Sequence, residues 1–99
     1  MTYLRVAVGW WRIDLNTAEG DAILAQVRDE GLCVLREQPG FIRYQLVLVD
    51  AHTTVAVVEW ESEDLAREGV KNYHAWLKES GIAEKLMLDV TGGEVVAAS

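Results

Sequence analysis

Three ring-bearing side chains lie within four consecutive positions: Tyr73, His74 and Trp76. Imidazole titrates near neutrality, so His74 is the best-placed candidate for a general base. The phenol of Tyr73 can donate a hydrogen bond to a ligand oxygen, and if buried it needs a partner. Arg12 and Arg43 stand in otherwise apolar, strand-like surroundings. A guanidinium there either steadies an anionic ligand or enolate, or pairs with one of the sixteen carboxylates. His52 and His74 are far apart and Cys33 is the single cysteine, which gives no recognised ligand spacing, so no metal is expected. No glycine-rich phosphate loop occurs, so no nucleotide cofactor is expected either.

The element that must position these rings is a helix. Ser62 caps it, with Glu63 and Asp64 where the helix dipole favours acids, and Gly81 closes it. At a helical repeat, Leu65, Ala66, Gly69, Val70, Tyr73, Trp76, Leu77 and Ser80 fall within an arc of about 140°. Arg67, Glu68, Lys71, Asn72, Lys78 and Glu79 lie outside it. His74 sits about 40° past the edge of the arc, a boundary position open to a cavity or to solvent. An aromatic stripe at this spacing fits plain core packing as well as a ligand wall.

Other segments read as clearly. Tyr3 to Ile13 alternates in two apolar registers, Leu4, Val6, Val8 and Trp10 against Tyr3, Ala7, Trp11 and Ile13, which predicts a strand apolar on both faces. Asn16 with Glu19 three residues on resembles a capping box. The helix after it carries Ile23, Leu24, Val27, Val34 and Leu35 on one side, with Gly31 marking a kink or a close approach. Pro39-Gly40 ends that segment. Phe41–Val49 and Thr53–Trp60 form a hairpin with His52 in its turn. Leu86–Val90 and Glu94–Ala97 predict a last strand, broken or bulged at Gly92-Gly93.

The order is β-α-β-β-α-β. It predicts an α+β, ferredoxin-like fold in one domain spanning residues 1–99: a four-stranded antiparallel sheet with both helices on one face. The other face then lacks cover from its own chain although its strands are apolar. A homodimer packed sheet to sheet resolves this.

Composition narrows the function classes. A net charge of −7 disfavours nucleic acid and anionic membrane surfaces. Hydrophobic residues at 51% with 25% charged describe a globular chain with no apolar run long enough to span a bilayer. One cysteine, and a start interrupted by Arg5, Arg12 and Asp14, lead to the expectation of a cytoplasmic protein without a signal peptide.

Three motifs then fall in order along the chain. Gln38-Pro39-Gly40-Phe41-Ile42-Arg43-Tyr44-Gln45-Leu46 resembles the "P-G-F-x-x-Y-x-L" approach to the second strand of antibiotic-biosynthesis-monooxygenase-like domains. Val57-Val58-Glu59-Trp60-Glu61-Ser62-Glu63-Asp64 resembles their "V-x-x-W-E-S-E-E" passage into the second helix. Thr91-Gly92-Gly93-Glu94-Val95-Val96 is similar to the "T-x-G-E-V-V" ending of some small members.

The resemblance implies a dimeric α+β barrel with one ligand cavity per subunit between sheet and helices. It implies a small aromatic or polyketide-like ligand and, for an enzyme, cofactor-independent oxygenation with O₂. On that reading His74 is catalytic, while Trp60, Tyr73 and Arg12 bind substrate. The alternative is a non-catalytic ligand-binding or structural dimer; a cyclase or isomerase using Tyr73 and His74 without O₂ is a third option. Haem-degrading relatives resemble one another in a first-strand asparagine, and here that region reads Ala7-Val8-Gly9, which speaks against haem.

Overall fold

The computed structural model describes all 99 residues. In chain order it contains β1 (Tyr3–Trp11), α1 (Ala18–Gln26), a π-helical turn (Val27–Gly31), α2 (Leu32–Arg36), β2 (Phe41–Asp50), β3 (Thr53–Trp60), α3 (Glu63–Glu79), a 3₁₀ turn (Ile82–Lys85) and β4 (Leu86–Glu94). The four strands form one antiparallel sheet in the order β2-β3-β1-β4. This is the ferredoxin-like α+β arrangement expected from the sequence.

The first helix is one run of helical backbone, α1 through the π turn to α2. Residues at both junctions keep right-handed helical dihedrals, Gln26 at φ −63° and Gly31 at φ −62°. Its cap differs from the expected capping box. Thr17, not Asn16, is the N-cap, and its Oγ1 accepts from Gly20 N–H at 3.1 Å. Asn16 instead donates its backbone N–H to Asp14, which turns the chain one residue before the helix opens. Gly31 provides the close approach: a Cβ there would press on the Trp76 and Tyr73 rings of α3. Ser62 caps α3 as expected, accepting from Leu65 N–H at 3.2 Å, and Gly81 takes the left-handed conformation just past its end.

β4 corrects a second expectation. It pairs with β1 without a break from Leu86 to Glu94, and Gly92 and Gly93 lie inside the ladder opposite Arg5 and Leu4. The reason is steric. A Cβ on Gly92 would meet the Tyr3 hydroxyl and the Arg5 side chain, so the missing side chain makes room for its neighbours rather than interrupting the strand. Val95–Ala97 lie beyond the strand.

Two tryptophans organise the interior between sheet and helices. Trp11 packs with Leu15, Ile23, Val27, Leu77 and Ile82; Trp60 packs with Leu35, Val58 and Ala66. Tyr73 touches both clusters. The alternation of β1 separates its two indoles as expected: Trp11 is buried beneath the helices, while Trp10 is 46% exposed on the opposite face. Val47, Val49 and Met87 are likewise exposed. No helix is long and apolar enough to cross a membrane.

Candidate functional site

Between the two clusters lies a cavity of about 70 Å³. Its floor is the helix-facing side of the sheet. At the centre Ala7 of β1 faces Ala56 of β3 in register, and these small side chains leave the space that Val or Leu would fill. Val27 and Leu35 of the first helix and Val70, Tyr73, His74 and Leu77 of α3 form the roof. Leu86, Leu88 and Val90 of β4 close one side.

Four polar, ionisable side chains interrupt this apolar lining: Arg5, Tyr44, Tyr73 and His74. They come from β1, β2 and α3, and no carboxylate joins them. His74 is an exposed residue that borders the cavity at its rim. Burial, and secondarily the positive charge of Arg5, hold its imidazole below the usual range, so the neutral, proton-accepting form prevails at neutral pH. Tyr44 and Tyr73 are both raised, mainly by burial, Tyr73 to about 12. Both therefore remain protonated donors, unsuited to act as bases near neutrality.

Placement differs among the residues singled out by sequence. Tyr73 and His74 reach the cavity together. Trp60 does not: it is 0% exposed, walled in by Phe41, Val58 and Ala66, with its ring against Gly69 of α3. It locks the second helix to the sheet. Arg12 does not reach the cavity either, because β1 ends at Trp11 and the Arg12 side chain turns out to solvent. Arg43 lies on the open face, where its Nε meets Glu59 at 2.9 Å; Thr2 donates to the same carboxylate. Arg5 takes the cavity position that Arg12 lacks. The signal was its register, since Arg5 shares the parity of Tyr3, Ala7 and Trp11.

No protein-family model and no curated protein matches the sequence. Solved structures do. SnoaB, a cofactor-independent oxygenase from Streptomyces nogalater, superposes with a TM-score of 0.75 at 14% identity over 98% of this chain and 95% of that one. A candidate antibiotic biosynthesis monooxygenase from Nitrosomonas europaea aligns with a TM-score of 0.68 at 15% identity, covering 98% and 94% of the two chains. This is the antibiotic-biosynthesis-monooxygenase-like fold. A dimeric ferredoxin-like protein from an uncultured marine organism shares it as well, with a TM-score of 0.72 at 8% identity over 99% and 98%. Chains this far apart share the monooxygenase-like architecture, and chemistry has to be argued from the site itself.

Proposed function

We propose that the cavity between sheet and helices binds a small, single-ring phenol or enol, and that the protein oxidises it directly with O₂. The observation that carries this reading is a neutral imidazole, His74, at the edge of an apolar cavity whose two phenols stay protonated. His74 would take the O–H proton of the phenol or enol, which places carbanion character on the neighbouring ring or α carbon. That carbon would reduce O₂, and the peroxide formed there would lose water. An HO–C=C–H unit plus O₂ thus becomes O=C–C=O plus one water. Tyr73, backed by Tyr44, would hold the ligand oxygen. The fold shared with a cofactor-independent oxygenase supports the reaction class.

Size limits the ligand. An engineered cavity of about 150 Å³ accommodates benzene, so 70 Å³ demands some side-chain movement even for one ring. The same tightness favours a second reading, a non-catalytic binding dimer. In either case two copies would associate through the open sheet face, where Trp10, Val47, Val49 and Met87 are exposed.

Oxygen uptake with single-ring phenols and enols that bind tests the proposal. His74→Ala should lower turnover by about 10²–10⁴-fold with binding retained. Ala56→Leu should fill the floor and abolish both binding and turnover. Ligands that bind without any oxygen uptake would overturn the catalytic half and leave the binding dimer.

A further inference from the structure

We propose that Arg5 makes the cavity selective for an anion, an apolar ring bearing a carboxylate. This rests on the cavity being the ligand site and adds the substrate's charge. Arg5 lies on β1 between Val58 of β3 and Gly92 of β4. Its stem crosses the space that a Gly92 side chain would occupy, since a Cβ there would lie 2.9 Å from the Arg5 Cδ. Arg5 thereby joins the cavity lining, and its Nε is buried with no hydrogen-bond partner.

No acid within the protein answers this charge. Arg28, Arg43, Arg67 and Lys85 each pair with a carboxylate; Arg12, Arg36, Lys71 and Lys78 are unpaired but exposed, whereas the unpaired Arg5 is half-buried and the cavity lining contains no Asp or Glu. Arg5 is half-buried, so solvent meets part of its charge, but its Nε–H is shut off from water and lacks an acceptor, which carries the cost of an unmet buried donor. A carboxylate satisfies both, because its planar pair of oxygens matches the guanidinium fork. The ring behind the carboxylate would then lie over Ala7 and Ala56, within reach of Tyr73. The surplus positive charge also acts on His74, whose ionisation it opposes. An anion held by Arg5 would remove that opposition.

Benzoate and benzamide separate the possibilities, being nearly the same shape and differing in charge. Binding to the full chain at pH 7 is followed by nuclear magnetic resonance, with the His74 titration recorded for each complex. Benzoate should bind at least about tenfold tighter than benzamide, the ratio corresponding to about 1.4 kcal/mol. It should raise the His74 pKa, whereas benzamide should not. Arg5→Met should erase the preference, bringing benzoate and benzamide to similar affinities, together with the His74 response, and Arg5→Lys should restore part of each. Equal binding of the two probes, or a preference that survives Arg5→Met, would overturn anion selectivity and leave the cavity reading intact. If neither probe perturbs the Tyr73 and His74 signals, the cavity reading falls and the selectivity falls with it.

Discussion

The indole of Trp60 comes so close to Gly69 that a Cβ on that glycine would overlap the six-membered ring. The contact joins the end of β3 to the middle of α3 and fixes the height of the helix above the sheet. That height in turn sets the roof of the cavity, because Tyr73 and His74 follow one turn later on the same helix.

Gly69→Ala is therefore expected to destabilise the protein, although alanine is the better helix former by about 1 kcal/mol. Overpacking of a filled core costs about 1–3 kcal/mol. At this chain length each lost kcal/mol lowers Tm by about 4–8 °C, which a thermal melt resolves. Combining Gly69→Ala with Trp60→Leu should be less harmful than the sum of the single changes, as in a coupled pair. Additive losses would show that the two residues do not share the contact.

A pH series reports on His74 in the folded protein. Its imidazole is held below the ordinary value near 6.5 by burial and by Arg5. The unfolded chain therefore binds this proton more readily than the folded one. Stability falls as pH drops below about 6.5 and levels off once the folded value is passed. His74→Gln should flatten that part of the denaturant-midpoint profile. A profile identical to the parent's would mean that His74 titrates like an exposed side chain.

At alkaline pH the sign reverses. Tyr44 and Tyr73 are both raised, chiefly by burial, Tyr73 to about 12. Their contribution is complete below about pH 10, where unfolded tyrosine titrates, and is lost as pH climbs through the folded values. Phenolate absorbance from these two residues should appear only together with unfolding. A reversible titration near pH 10 in the folded protein for both would contradict their burial.

The open face of the sheet gives the prediction about assembly. Trp10→Lys places a charge among exposed apolar residues that include Val47 and Met87. Sedimentation should give twice the chain mass for the parent and the single mass for the variant, with helical content retained. A parent that sediments as a monomer would end the dimer proposal.

Much of the fold was legible because periodicity governs it. The arc on α3 proved to be the buried side, with Ala66, Gly69 and Leu77 all inside it, and the two registers of β1 put Trp10 and Trp11 on opposite faces. The site was legible only in part. His74 and Tyr73 were found because the helix carrying them is strongly amphipathic. Arg12 was misplaced because apolar alternation continued to Ile13 although the paired strand stops at Trp11. Arg5 was passed over because a charge in a half-buried register stands out only when the facing element is known. Trp60 was ambiguous for a similar reason: its fate depends on Gly69, nine residues away across a turn. The cavity itself rests on two alanines whose pairing across strands no single segment displays.

The π turn at Val27–Gly31 bears on how this chain tolerates changes in length. Such a turn holds one residue more than a regular helix of the same span requires. Removing a single residue there would restore ordinary helical spacing while Thr17 at one end and Pro39-Gly40 at the other stay where they are. The same deletion in α3 ahead of His74 would rotate every later side chain by about 100° and carry the imidazole away from the cavity. A one-residue deletion should therefore be tolerated in the first helix of this chain, while the second must keep its count.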